Sequence, residues 1–402
     1  MKIVHVATID IGGAYQAAAR LHTALKQKGM DSKILLRTKT DSSHEGEVVF
    51  ASKMGEVLSK AKNVWNLTKK DGDISRDVLG TDISRHPFIQ SADVIILHWI
   101  NSFLTEKEIE KLARLNKPIL WFMHDMWLFT GGCHVDGYCG KYEIGCGGCP
   151  QTKSGKEQDI TLLNVAKKKE LLQKIRPVIA GPSHWIVDCA KKSAVTCGQN
   201  ILYLPNMIDT QIFHMPDTAV KEQLRNRYQI ISAKKVVLFG AADAGTENDN
   251  KGFSYLREAL SYLDRDRFQL VVFGNSGRDL GLPEGFEVHK LGFISSQQQM
   301  AEIYQLADVF VNPSNQESFG FTTCEAMACG VCCVSFPIGG LKYQITHMEN
   351  GYLARYHDAE DLARGIACCV EHEEWKEKAR SAAERFSMEK VVEQYIEVLK
   401  KL

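Results

Sequence analysis

No stretch of this 402-residue chain stays apolar for the roughly 20 residues that a bilayer-spanning helix needs. Neither sign of charge is in excess. The 49 acidic side chains balance 49 basic ones, so no net field points to nucleic acid or an acidic polymer as partner. A cationic start followed by an apolar core is missing too, and Met1 to Thr8 reads instead as a first buried strand. The expectation is a soluble, cytoplasmic protein, with peripheral contact at the inner face of a membrane left open. Internal repeats and low-complexity tracts are absent. No G-x-G-x-x-G follows the first strand, which removes the fingerprint of a Rossmann dehydrogenase. With no export signal, the twelve cysteines favour reduced thiols or metal over disulfides.

What is present is alternation. Strand-like runs at Lys2–Thr8, Lys33–Arg37, Asp93–His98, Pro118–Phe122 and Val178–Ala180 are interleaved with helical patterns such as Ala14–Lys28. Val178–Ala180 reads as the last strand of the first half. The pattern restarts with Lys235–Phe239, the helix Phe253–Leu263, Phe268–Phe273, the helix Gln297–Leu306, Ala307–Val311 and Val331–Phe336. Such a chain predicts two doubly wound α/β halves, each with a parallel sheet covered by helices. Ligands of such sheets bind at the carboxyl ends of the strands.

One segment carries more chemistry than the rest. The apolar run ending at Val311 is stopped by Asn312-Pro313, a loop brings Glu317 and Gly320, and a helix starts near Phe321 and ends at Gly330. A helix start offers backbone N–H groups and a positive dipole end to a phosphate. Glu317 and Glu325 can accept hydrogen bonds from hydroxyls. The helix dipole alone would also favour a glutamate in the first turn. Phosphate together with several hydroxyls describes a nucleotide sugar.

The order and spacing of this segment (a Glu, seven residues, a second Glu, Phe-Gly inside and Ala-Met-Ala-x-Gly after) resemble the signature of glycosyltransferase family 4. That resemblance implies a retaining enzyme with the GT-B fold: two Rossmann-like domains facing each other across a cleft, and a C-terminal helix crossing back to the first domain. It places the acceptor domain at residues 1–208 plus 386–402 and the nucleotide-sugar domain at 209–385. Leu204-Pro205-Asn206-Met207-Ile208-Asp209 through Phe213 resembles the family's hinge. No catalytic cofactor is implied.

Residue by residue, the resemblance gives Glu317 the hydroxyls of the transferred sugar and Glu325 those of the ribose. Lys251, before Gly252, resembles the lysine that neutralises the departing diphosphate, beside the backbone of Ser318, Phe319, Gly320, Phe321 and Thr322. Phe293-Ile294 resembles the turn that reads the nucleobase. Gly12-Gly13 matches the family's first glycine loop, with Gly13 on the donor side, and Gly339-Gly340 matches a later one. His98-Trp99 and His124-Asp125 each end a buried strand, and His124 resembles the family histidine beside the reacting sugar. His98, Trp99 and Asp125 are expected on the acceptor side, with Asp125 holding the His124 imidazole or capping the residues next in the chain. The chain departs from the family at Gly240-Ala241, where an arginine is common; Arg278 and Arg257 are candidate substitutes.

Cys133, Cys139, Cys146 and Cys149 form C-x5-C-x6-C-x2-C among glycines. The last pair has the spacing of a zinc knuckle. A structural zinc and reduced thiols packing a loop are both open. The segment resembles one in family members that act on surface polysaccharides. Lys53–Lys70 reads as an amphipathic helix whose apolar stripe packs on the sheet or touches an anionic membrane. The expected function is a retaining transfer of a sugar from a nucleoside-diphosphate sugar to a hydroxyl of a glycan or lipid-linked acceptor, in bacterial surface-polysaccharide synthesis. A sugar-nucleotide 2-epimerase of the same fold and a non-catalytic binding protein are the alternatives.

Overall fold

Thirteen strands, all paired in parallel, form two separate sheets in the computed structural model, which describes residues 1–49, 74–75, 79–152, 154–240, 249–274 and 280–402. The Lys53–Lys70 segment, Ala241 and Arg278 lie outside the described residues. The chain divides into two compact units: Met1–Met207 with Met388–Leu402, and Ile208–Ser387.

In the first unit the strands are β1 (Lys2–Ile9), β2 (Asp31–Thr38), β3 (Glu47–Val48), β4 (Val94–Leu97), β5 (Ile119–Phe122), β6 (Val178–Gly181) and β7 (Ile201–Tyr203), in the order 3-2-1-4-5-6-7. β4 and β5 are unbroken apolar runs, as expected of parallel strands covered on both faces. The chain winds outward from β1 in one direction and then from β4 in the other. That reversal opens a crevice at the carboxyl ends of β1 and β4. One expectation is corrected. Val178–Ala180 does not close the sheet, because Ile201–Tyr203 pairs beyond it.

The helix Met388–Leu399 belongs to this first unit. Val391, Val392, Tyr395, Ile396 and Leu399 recur at helical spacing and are all buried, packed with Ile3, Leu21, Leu25, Val94 and Ile96. Each such side chain stabilises by about 1.5–3 kcal/mol when fully removed from water.

The second unit holds β8 (Lys235–Gly240), β9 (Phe268–Phe273), β10 (Val288–Lys290), β11 (Val309–Asn312), β12 (Cys332–Ser335) and β13 (Gly351–Leu353), in the order 10-9-8-11-12-13. Its reversal falls between β8 and β11. Helices at Phe253–Leu260, Gln297–Leu306, Phe321–Ala328, Ala359–Glu371 and Trp375–Ala383 cover it. Among the described residues, no helix is long and apolar enough to cross a membrane.

Candidate active site

At the reversal in the second sheet, the loop after β8 carries Lys251 and the loop after β11 carries Glu317. Asn315 joins the two. Its N–H donates to the Asn250 carbonyl and its side-chain amide to the Asp249 carbonyl, each at 2.9 Å. Asp249 also accepts from the Phe253 and Ser254 N–H groups at 2.6 and 2.8 Å, capping the helix Phe253–Leu260. Gly252 permits the close approach. Its φ is +68°, and a Cβ there would stand 1.9 Å from the Pro313 carbonyl oxygen.

Lys251 Nζ and Glu317 Oε2 meet at 2.7 Å, with the lysine 42% and the glutamate 18% exposed. The structure therefore pairs the two charges expected to serve a diphosphate and a sugar. Behind Glu317, Gly340 N–H donates to its carbonyl at 2.9 Å. At Gly339, where φ is +46°, a Cβ would lie 1.9 Å from that same carbonyl oxygen. The Gly339→Ala variant should thus lose about 3 kcal/mol, from a left-handed alanine plus backbone overpacking. Urea unfolding would read this, and a wild-type midpoint would refute it.

The helix Phe321–Ala328 starts after Gly320 with no side-chain cap. Phe321, Thr322 and Ser318 are half-buried. The strand end is braced by Asn312, which donates to Thr323 Oγ1 at 2.9 Å and accepts from Ser314 Oγ at 2.6 Å. Phe319 points the other way. It is buried against Phe321 and Phe386, and its carbonyl accepts from Gln344 Nε2, so its side chain is core.

Glu325 is only 5% exposed and accepts a hydrogen bond from Tyr304 Oη at 3.1 Å. Burial, reinforced by this carboxylate, pushes the Tyr304 phenol well above its usual pKa and keeps it a donor. Phe293, by contrast, is 77% exposed on the turn after β10, while Ile294 packs on the core. Arg257 lies on the helix after Gly252, with its guanidinium near Gly281.

In the first unit, the helix Gly12–Gln27 begins at the exposed Gly12-Gly13 pair, again with no side-chain cap. His98, Trp99, His124 and Asp125 line one small pocket at the ends of β4 and β5. A larger cavity of the same unit, between Thr105, Trp121, Trp127 and Lys168, carries none of these four residues.

Asp125 does not hold His124. Its Oδ2 accepts from Trp99 Nε1 at 3.1 Å and lies 2.7 Å from His134 Nδ1, while its Oδ1 accepts from the Trp127 N–H at 2.8 Å. His134 in turn meets Ser75 Oγ at 2.8 Å. The capping alternative holds, because successive residues leaving a strand point to opposite sides. His134 was not singled out from sequence, although it sits inside the cysteine segment.

His124 is bonded instead to His98, Nε2 to Nδ1, at 2.9 Å. His98 is 3% exposed, and its other nitrogen meets His5 Nδ1 at 2.9 Å. No ring nitrogen of His98 is left to contact an acceptor, so it serves His124. Phe122 and His98 crowd the partly exposed His124 ring, and the lost hydration holds its pKa down to about 3. Burial first, then the neighbouring His124 imidazole, lowers His98 well below the usual histidine range.

The four cysteines of the spaced segment are free thiols. Among the described residues, these four included, no group of three or more His, Cys, Asp or Glu side chains is placed to hold a metal ion. Burial pushes the Cys133 thiol up to about 12, which keeps it protonated. The loop is held by other bonds: Gly131 N–H to Cys146 Sγ at 3.3 Å, Gly147 N–H to Thr161 Oγ1 at 3.0 Å, and Cys149 N–H to Asp159 Oδ2 at 2.7 Å.

Residues 233–372, which contain Lys251, Glu317 and Glu325, match the family model described as glycosyl transferases group 1. This stretch is a group 1 glycosyltransferase domain. Among curated relatives, N-acetyl-alpha-D-glucosaminyl L-malate synthase of Bacillus anthracis is 26% identical over 227 residues, covering 54% of this chain and 58% of that protein. A D-inositol 3-phosphate glycosyltransferase of Xylanimonas cellulosilytica is 28% identical over 211 residues, covering 48% of this chain and 50% of that protein. The chain spans about half the length of the curated relatives it matches. Over whole chains, the structure resembles Anabaena HepE in complex with UDP, with a TM-score of 0.70, 17% identity and 100% of both chains covered. It also resembles WaaG, a glycosyltransferase involved in lipopolysaccharide biosynthesis, with a TM-score of 0.66, 16% identity and 99% of both chains covered. The architecture is the two-domain α/β GT-B fold.

Proposed function

We propose that the protein is a retaining glycosyltransferase that moves a sugar from a nucleoside-diphosphate sugar to a hydroxyl of a glycan or lipid-linked acceptor, in the cytoplasm, for surface-polysaccharide synthesis. The observation that carries this reading is the Lys251–Glu317 pair at the reversal point of the second sheet, beside an uncapped helix start. A cation and a helix N-terminus suit a diphosphate. A carboxylate held beside them suits sugar hydroxyls. The structural relatives support the donor class, since HepE is described in complex with UDP and with UDP-glucose.

In the proposed reaction the bond from the anomeric carbon to the phosphate oxygen breaks. The acceptor oxygen bonds that carbon on the same face, and its proton passes to the departing phosphate. Lys251 and the helix start would stabilise the charge that develops there. Glu325, close to Tyr304, would meet the ribose.

A panel of nucleotide sugars, beginning with UDP-glucose and scored by nucleotide release with and without acceptor glycans, tests the proposal. Release that depends on acceptor is expected. Conversion of the donor to an epimer without any acceptor would replace this reading with the 2-epimerase.

A further inference from the structure

Four buried side chains and the partly exposed His124 run in one line beneath the first sheet. His124 Nε2 meets His98 Nδ1 at 2.9 Å, and His98 Nε2 meets His5 Nδ1 at 2.9 Å. His5 Nε2 then meets Ser32 Oγ at 3.1 Å, and Ser32 Oγ meets His22 Nδ1 at 2.8 Å. The line crosses five elements, with His124 past the end of β5. His5 lies on β1, Ser32 on β2, His98 at the end of β4, and His22 on the helix Gly12–Gln27 that covers the sheet. His5, Ser32, His22 and His98 are 0%, 3%, 4% and 3% exposed, so water does not compete for these bonds.

A neutral imidazole has one N–H and one bare nitrogen. Every ring nitrogen between the ends faces another member. The Ser32 hydroxyl can relay the proton order in either direction or accept from both imidazoles, so three arrangements are possible. They differ in what the two ends present: His124 Nδ1, on a partly exposed residue, and His22 Nε2, buried with no hydrogen-bond partner.

The inner end decides between them. His22 Nε2 stands 3.9 Å from the Glu45 carboxylate. An N–H directed at that anion is attracted, whereas a lone pair would be repelled. Lys26, 3.8 Å from the other Glu45 oxygen, weakens the preference without reversing it. With Nε2–H on His22, its Nδ1 accepts from Ser32, Ser32 accepts from His5, His5 accepts from His98, and His98 accepts from His124.

We infer that His22, Ser32, His5 and His98 form a tautomer-setting relay that holds His124 as its Nε2–H form and presents its Nδ1 outward as a hydrogen-bond acceptor. These four are positioning residues, and His124 is the group a hydroxyl of a sugar or acceptor would meet. That last use rests on the proposed transferase reading, but the tautomer itself does not.

Two-bond proton–nitrogen correlation of imidazole-labelled protein at neutral pH reads the tautomer, with the His124 signals identified by their loss in His124→Gln. The wild type should show the Nε2–H form. Ser32→Ala uncouples His5, His98 and His124 from the Glu45 end and should give a mixture, while Ser32→Thr restores the hydroxyl and the wild-type signal. On the exposed surface, Glu45→Gln cannot disturb the core and should raise the minor form about twofold, the effect of a weak exposed charge. An Nδ1–H form in the wild type, or a His124 signal unmoved by both Ser32→Ala and Glu45→Gln, overturns the relay. The expected tautomers in a protein that transfers no sugar would leave the relay standing and count against the transferase.

Discussion

Replacing Glu317 by alanine should lower sugar transfer about a thousandfold while leaving the fold intact. The magnitude follows from two hydrogen bonds between a carboxylate and sugar hydroxyls, each worth about 1.5–3 kcal/mol when made to a charged group. The structural cost should be small. Glu317 pairs with a lysine that is 42% exposed, and such pairs contribute about 1 kcal/mol or less. The competing explanation is that Glu317 exists only to hold Lys251. In that case Glu317→Ala would mimic the loss of a surface ion pair, and turnover would stay within a few-fold of wild type. Steady-state rates for Glu317→Ala and Glu317→Gln, set beside their urea midpoints, separate the two. A large rate loss at an unchanged midpoint supports direct contact with the donor. Equal small losses in both quantities would leave the residue as scaffold.

The contrast between the two sheets shows where the sequence speaks. Lys251, Glu317 and the glycines around them come after long apolar runs, and both runs proved to be the central strands β8 and β11. Polar residues after such runs stand out against any background, so the second-unit site was legible. The edge strands Glu47–Val48, Val288–Lys290 and Gly351–Leu353 were not. Two or three residues are too few to establish a period, and pairing with a neighbour decides their state. His5 and His22 were missed for a different reason. A histidine inside an apolar strand or on a helix looks like any half-polar position. Only the parallel register, which sets β1 between β2 and β4, brings them into one line with His98 and His124. Asp125 shows the same limit, since its neighbour in sequence is His124 and its partners in space are Trp99 and His134. Asp10 also gave no signal. It is fully buried, accepting hydrogen bonds from the Thr40 and Asp41 N–H groups, and it fixes the loop after β2.

The same histidines should make the first unit sensitive to acid. His22 is held down to about 4 by burial, with Lys26 and Lys33 adding to the effect over the opposing pull of Glu45. His124 is held down to about 3 by burial; burial, then His98 and His22, lower His5 well below the ordinary value, and burial, then His124, do the same to His98. In the unfolded chain each titrates near 6.5. Below that pH the unfolded state binds protons that the folded state refuses, so stability falls as pH falls. The loss begins near pH 7 and continues towards the folded values. Between pH 7 and 5.5 each imidazole that stays neutral in the fold costs on the order of 1 kcal/mol, and four together about 5 kcal/mol, a large part of the usual 5–15 kcal/mol for a domain. Carboxylates do not account for it, since they titrate about two units lower. Of the chain's six tryptophans, only Trp375 falls in the second unit's range, while Trp99, Trp121, Trp127 and Trp185 lie in the described part of the first, so fluorescence reports mainly the first unit's unfolding. The urea midpoint should drop by about 2 M between pH 7 and 5.5, for a slope of about 2.5 kcal/mol per molar. The second unit contains no corresponding row among its described residues, and hydrogen exchange at Val237 and Val311 should change far less than at Ile96 and Leu120. A midpoint that stays level across this range would mean that the four imidazoles are not held neutral, and the relay would lose its basis in burial.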